Sequence, residues 1–437
     1  MEHEFARRRS VAVIGSGVAG LTAGYVLSSR YRVTLYEADA RLGGHAHTHV
    51  LDDGAGTVVG VDTAFLVHNE RTYPTLCRLF TELGVATQVT EMSMSVRADD
   101  TGLEYAGAQG VRGLFACRQS LRPRYLFMLA ETIRFHRAAS RLLRDRSPAA
   151  PEDLETLAAF LHRHRFSSYF IEYFITPLVA AVWSCAGDDA VHYPARYLFV
   201  FLAHHGMLSV FGSPTWRTVT GGSANYVQAI ASRLDEVSTG TPVHSLRRLP
   251  GGVLVQAGSN APRFFDAAVI AVHPDQALLL LDDPTAQERA VLGAIPYSTN
   301  RAQLHSDESV LPRHRRARAS WNYLVTPDTG QVVVSYDISR LMRINARTRF
   351  LVTLGGQDRV NPAAVIAEMT YSHPLYTPES VAAQGKLADL NDDRVAFAGA
   401  YHGWGFHEDG AASGLRAARR LGADWPVVAR LEAVVSC

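Results

Sequence analysis

Lysine is almost missing from this chain: of 43 basic residues only Lys386 is a lysine, and the rest are arginine. Such a bias ordinarily reflects genome base composition, yet it also removes lysine from nearly every place where an amine could do chemistry. Cysteine is scarce too. Cys77, Cys117, Cys185 and Cys437 form no CxxC pair and have no short spacing to paired histidines. That excludes a disulfide framework and a structural zinc site, and it predicts a cytoplasmic location. No convergent set of metal ligands is found. The formal charge is only +1, so no global field favours nucleic acid. Arg7-Arg8-Arg9 is followed at once by a strand and a glycine turn, without the apolar stretch and cleavage site of an export signal. The apolar run Ser168–Trp183 contains Glu172 and Pro177 and is too short to span a bilayer.

What the chain has is glycine at its two ends. Ser10–Gly15 is a short buried strand, Gly15-x-Gly17-x-x-Gly20 is a turn into a helix, and a second strand, Arg32–Tyr36, ends at Glu37. This βαβ context gives the glycine triplet a dinucleotide-binding meaning that it lacks alone. Gly15 permits the turn, Gly17 lets a pyrophosphate approach the backbone, and Gly20 lets helix and sheet close. The phosphates then meet free N–H groups at the helix N-terminus, among them that of Ala19, and Glu37 accepts from ribose hydroxyls. Residues 75–211 read as helices rich in Phe, Tyr and Trp. Gly221-Gly222 before a helix, a strand near Pro242–Leu246 and another at Phe265–His273 restore the nucleotide-domain pattern. Strands are expected at Gln331–Tyr336 and Phe350–Leu354. A strand and a helix return at 395–422, around Gly405-Phe406-His407-Glu408-Asp409-Gly410.

Glu37-Ala38 is followed by Arg41-Leu42-Gly43-Gly44. This extension resembles the FAD-binding fold of the glutathione-reductase superfamily, in its amine-oxidase and phytoene-desaturase branch. Val61–Phe65, Thr220-Gly221-Gly222, Pro242-Val243 and Gly405–Gly414 are similar to further segments of that branch. The run Gly-Gly-His45-Ala46-His47-Thr48, with Thr215–Val219 and Trp321-Asn322-Tyr323, resembles a bacterial subgroup associated with cyclopropane-fatty-acid-synthase-type methyltransferases. The resemblance spans about residues 10 to 425. It implies an α/β fold in which a Rossmann-like FAD-binding domain (1–74, 212–284, 391–437) is interleaved with an α+β substrate domain (75–211, 285–390) carrying a helical, aromatic-rich insertion. It implies FAD held by Gly15, Gly17, Ala19, Gly20, Glu37, Ala38, Arg41, Gly43, Gly44, His45, Val243, Gly399, Glu408, Asp409 and Gly410. The last helix would turn its N-terminus to the flavin, favouring the reduced, anionic form.

Two departures bear on the reaction. Many amine oxidases place a lysine near the flavin in a substrate-domain strand, whereas here that region reads Tyr297–Ala302 and Lys386 lies elsewhere. Ala400 stands where many relatives carry an acidic residue. His47 and His407 are expected near the flavin, either in proton transfer or as structural hydrogen-bonding groups. Trp404, Phe406 and Tyr323 would wall the ring or serve as ordinary core. His204-His205 reads as structural. The aromatic residues between Phe160 and Phe201 imply a hydrophobic or acyl substrate. The arginines from Arg118 to Arg146, interleaved with Leu, Phe and Ile, are either a solvated helix face or a surface for anionic lipid at the inner face of the membrane, a methyltransferase or an acyl carrier. The expected activity is FAD-dependent hydride transfer at a carbon–carbon bond. A redox-neutral isomerase or cyclase, a lysine-less amine oxidase and a flavin-holding partner subunit are the alternatives.

Overall fold

The computed structural model describes residues 8–53, 55–144, 155–183, 191–208, 213–326 and 333–425. The apolar run Val11-Ala12-Val13-Ile14 is buried on both faces, as a central parallel strand requires. It lies in a five-stranded parallel sheet, in the spatial order Glu236–Ser238, Arg32–Tyr36, Ser10–Ile14, Ala267–Ile270, Val395–Phe397. Three distant stretches of chain therefore build one sheet. The helices Val18–Leu27 and His407–Arg420 cross closely because Gly414 has no side chain: a Cβ there would come within 2.2 Å of the Ala19 carbonyl. The first of these helices is buried throughout, caught between the sheet and the last helix.

A seven-stranded sheet forms the other half. Its order is Val365–Pro374, Tyr297–His305, Leu351–Leu354, Val333–Asp337, Trp321–Val325, Met94–Ala98, Leu103–Ala106. All neighbours are antiparallel except Trp321–Val325 with Met94–Ala98. Part of the stretch expected to be helical is thus strand, since Thr87–Val89, Met94–Ala98 and Leu103–Ala106 all precede the first helix after Leu83. Met94–Ala98 pairs with Trp321–Val325 and Thr87–Val89 with the strand Trp216–Val219, distant partners that local propensity cannot register. The helices Leu157–Arg163, Thr176–Trp183 and Ala195–His204 follow, packed through Phe135, Phe160, Phe170 and Phe199. The strand expected at 265–273 is only Ala267–Ile270, and His273 instead precedes the helix Pro274–Leu280. Of the strand expected at 331–336, the described part runs Val333–Asp337, and residues 331 and 332 lie outside the described residues. Cys77 and Cys117 are free thiols, while Cys185 and Cys437 lie outside the described residues. No described helix is long and apolar enough to cross a membrane.

Candidate functional site

A continuous cavity of about 770 Å³ runs from the Gly15–Ala19 turn to the aromatic wall at Trp404–His407. The turn is shaped by glycines with different tasks. Gly15 adopts φ +99°, and a Cβ there would lie 2.6 Å from the Ala271 carbonyl. At Gly20 a Cβ would meet the Gly15 carbonyl at 1.9 Å, so this glycine closes the helix onto the turn without lining the cavity. Beside Gly17 nothing lies within 4 Å of that position. Gly44, at φ +55°, sits against the Gly17 Cα. Gly43 lies outside the lining, because its φ of +110° serves a turn closed by the Ala46 N–H on the Gly43 carbonyl.

At this end Glu37, Ala38, Asp39, Arg41, Thr241 and Val243 line the cavity. The Glu37 carboxylate accepts from the Ser16 N–H at 2.9 Å and the Asp39 N–H at 2.9 Å, which fixes it at the strand end. Gly399, in extended backbone, lines the cavity where a Cβ would strike the Tyr401 ring at 2.2 Å. Gly410 does not line it. A Cβ there would touch Val18 at 2.6 Å, so Gly410 lets the two helix N-termini converge. Both dipoles consequently favour negative charge at the middle of the cavity.

Glu408 and Asp409 are spent on structure rather than on the cavity. Glu408 accepts from the N–H groups of Thr75 (3.0 Å) and Leu76 (2.9 Å), capping the helix Pro74–Leu83. Asp409 accepts from the Phe406 N–H at 2.9 Å, and burial pushes its carboxyl up to about 7. Glu408→Ala is therefore expected to cost about 1–2 kcal/mol of stability, with flavin content unchanged. A melting curve shifted down by a few degrees checks this, and loss of flavin instead would return Glu408 to the cofactor site.

The far end is apolar and aromatic. Ala181, Val182, Trp183, Phe201, Trp216, Trp321 and Tyr336 line it, with Phe65 and Phe406. His407 stacks on Phe65 with ring centroids 3.8 Å apart and hydrogen-bonds the Tyr226 hydroxyl at 3.0 Å. Burial drives its imidazole down to about 3, so it is neutral. The loop before it is braced: Trp183 Nε1 donates to the Trp404 carbonyl at 3.1 Å, and Tyr197 donates to the Gly403 carbonyl at 2.8 Å. His45 lines the cavity with Tyr371 and His373. Burial lowers His45 well below the usual histidine range and takes His373 down to about 4.

Two expected residues stand outside this wall. The His47 imidazole hydrogen-bonds the Tyr371 hydroxyl at 3.0 Å and packs against His49, so it reaches the cavity only through Tyr371. Tyr323 is buried in the middle of the seven-stranded sheet, paired with Val96 and Val334. Its strand neighbour Trp321 lines the cavity. Two residues of strand carry Tyr323 roughly 7 Å further along. Sequence reading missed Tyr371, His373 and His273, which come from a plain strand and a helix start, while Tyr297 opens the strand expected near the flavin. No described group of three or more His, Cys, Asp or Glu could hold a metal.

The model of the family described as flavin containing amine oxidoreductase matches residues 18–422. A carotenoid phi-ring synthase of Streptomyces griseus is 27% identical over 284 residues, 60% of this chain and 52% of that protein. The chain thus spans about half the length of the curated relative it matches. Cyclohexylamine oxidase from Brevibacterium oxydans IH-35A superposes with a TM-score of 0.67 at 18% identity, covering 94% of this chain and 98% of the other. The CLA-producing fatty acid isomerase from P. acnes gives 0.68 at 16% identity, covering 95% and 99%.

The cofactor is FAD, and the residues present fit it. Gly17 leaves open space where a pyrophosphate would meet the helix N-terminus. Four polar groups of cavity-lining residues, His45 Nε2, Trp321 Nε1, Tyr401 Oη and Trp404 Nε1, are buried with no partner among the described residues. Buried donors and acceptors are rarely left so, and a polar ligand edge would satisfy them. Glu37, Arg41, Val243 and the turn Gly15–Ala19 would hold the nucleotide, with Gly44, His45 and Gly399 towards the flavin.

Proposed function

Because the chain belongs to the flavin-containing amine oxidoreductase family, we propose that this FAD-dependent oxidoreductase acts on a carbon–carbon bond of a hydrophobic, acyl-like or polyene substrate. The observation that carries this reading is the charge of the wall. Among the described lining residues the only carboxylates are Glu37 and Asp39, both at the nucleotide turn, and no lysine is present. Lys386 is exposed, between the helix Pro378–Gln384 and the turn that follows. The histidines His45, His373 and His407 are held neutral by burial.

An alkyl chain entering such a wall gains about 0.8 kcal/mol for each buried methylene. An ammonium loses several kcal/mol of hydration, and with no carboxylate the aromatic faces return about 2 kcal/mol. The apolar substrate wins. Bound FAD supplies a two-electron carrier able to take a hydride from carbon or return one. Trp183, Phe201, Trp404 and Phe406 exclude water. The Tyr371 hydroxyl, shared with Thr63 Oγ1 at 2.7 Å and His47 Nδ1 at 3.0 Å, is pushed up to about 12 by burial and stays protonated beside the cavity. Two relatives bear names that refer to apolar carbon frameworks, a carotenoid ring and a fatty acid, which supports the same substrate class.

Anaerobic mixing of the purified flavoprotein with unsaturated fatty acids, carotenoids and primary amines tests the proposal. A lipid is expected to bleach the flavin or, in a redox-neutral isomerisation, to be converted while the flavin spectrum recovers. Bleaching by amines alone would overturn it.

A further inference from the structure

Half of the large exposed apolar side chains among the described residues are concentrated in one stretch. Six of the twelve large hydrophobics that are exposed among the described residues fall between Val111 and Ile133, at 37% to 73% exposure. They belong to consecutive elements: a short helix Gly110–Leu114, a turn Arg118–Leu121 and the long helix Pro123–Arg144. The Phe115 ring packs edge-on to Tyr125, and the Tyr125 hydroxyl donates to the Leu114 carbonyl at 2.7 Å, which joins these elements into one surface.

The long helix is two-sided. Tyr125, Met128, Phe135 and Ala139 are buried against the aromatic helices. Its outer face carries Leu126, Phe127 and Ile133 in the first half and Arg134, Arg137 and Arg141 beyond. Arg122 and Arg124 bracket the apolar end. Between residues 107 and 144 the only acidic residue is Glu131, which is buried and accepts from the Ser167 N–H at 2.9 Å. Arg134 pairs with Glu131, whereas Arg122, Arg124, Arg137 and Arg141 form no ion pair with a described residue. From neighbouring elements, Asp100 and Glu172 act electrostatically on Tyr169, as Arg122 does, and Asp100 also accepts from the Tyr173 hydroxyl at 2.8 Å.

We propose that this face, from Phe115 along the outer side of Pro123–Arg144, docks the protein on an anionic lipid bilayer. Leu121, Leu126 and Phe127 would enter the acyl boundary, and the arginines would meet headgroup phosphates. A soluble monomer gains nothing from large apolar side chains kept in water. Apolar groups bordered by an excess of arginine match the two layers of a bilayer surface, apolar within and anionic without. An acidic protein partner would neutralise the arginines but would need its own matching apolar patch. The proposal goes beyond the reaction, and it holds whichever substrate the cavity takes.

Flotation of the full-length, FAD-loaded protein with phosphatidylcholine vesicles, with and without phosphatidylglycerol, tests it. The wild type is expected to float with the anionic vesicles only. The double substitution L126E/F127E should reduce the bound fraction at least tenfold, and R122Q/R124Q about tenfold with a weaker salt dependence. None of the four residues lines the cavity, so bound flavin and the melting temperature report that the variants remain folded. Absence of wild-type flotation on anionic vesicles overturns the proposal, as does wild-type flotation by L126E/F127E. Retention on an immobilised acidic acyl carrier without flotation would also overturn it, in favour of a protein partner.

Discussion

Gly17→Val is expected to give a folded but colourless protein, with FAD affinity reduced about a hundredfold or more, on the order of 3 kcal/mol. The three glycines of the turn are not equivalent. At Gly15 and Gly20 an added Cβ would collide with backbone, at 2.6 Å from the Ala271 carbonyl and 1.9 Å from the Gly15 carbonyl. Those substitutions strike the fold itself. Gly17 differs on both counts: its φ of −63° and ψ of 172° suit any residue, and its missing Cβ faces open space. The first carbon of the new side chain therefore meets no protein atom within 4 Å. The isopropyl group fills the approach to the N–H groups at the start of the helix Val18–Leu27, where the pyrophosphate would otherwise replace water on unpaired donors. The measurement is the flavin-to-protein absorbance ratio after purification, followed by titration of the apoprotein with FAD. Gly20→Val serves as the contrast and is expected to yield little folded protein. A yellow Gly17→Val variant would mean that the nucleotide does not cross this turn.

The difference between those two glycines also marks how far the sequence could be read. Spacing alone announces the turn, the strand before it and the helix after it, because each requirement is local. The same holds for Glu37, whose place at a strand end follows from the short buried run Val33–Tyr36 before it. The wall of the cavity is another matter. Tyr371 and His373 sit on a ten-residue strand with alternating burial, and nothing in that pattern separates a ligand-facing side from a core-facing one. Their role arises only when the strand becomes the edge of a seven-stranded sheet beside His45. Glu408 and Asp409 illustrate the converse. Acidic residues in a glycine-rich helix start read as ligand contacts, but carboxylates at a helix start are also what unpaired N–H groups recruit. Here Thr75, Leu76 and Phe406 claim them. Tyr323 fails for a simpler reason: a strand carries its side chains away from a site within two residues. The exposed face of Pro123–Arg144 lies between these cases. Its arginines and apolar residues are plain in the sequence, while the burial of Glu131, which leaves that helix no exposed carboxylate, is a tertiary fact.

The second large effect is on acid stability. His47, His68, His205, His305 and His373 are lowered to about 4, and His402 and His407 to about 3, with burial the leading cause in every case. The ordinary value is 6.5, so near pH 5 each is almost fully protonated in the unfolded chain and nearly proton-free in the fold. The unfolded state then binds more protons, and stability falls as the pH is lowered through this window. Two buried carboxyls act in the opposite sense. Asp62 is raised to about 6 and Asp409 to about 7 from 3.8, so they hold protons in the fold that the unfolded chain releases. Seven histidines outweigh two carboxyls. The net uptake on unfolding is about five protons near pH 5, each worth about 1.4 kcal/mol per pH unit. Set against a total stability of roughly 5–15 kcal/mol, that slope is expected to unfold the protein within about one to two units below pH 6.5. Melting temperatures of the FAD-loaded protein should therefore drop steeply from neutral pH towards pH 5, with flavin released at the transition. His68 offers a test of the cause, since its ring packs edge-on to Phe80 at 5.2 Å and its Nδ1 is buried with no partner among the described residues. His68→Phe should keep the fold and lessen the acid slope by about one proton. An unchanged slope in His68→Phe, or a wild-type melting temperature that rises on acidification, would mean that these imidazoles are charged in the fold, and the cavity could not be the uncharged wall on which the choice of an apolar substrate rests.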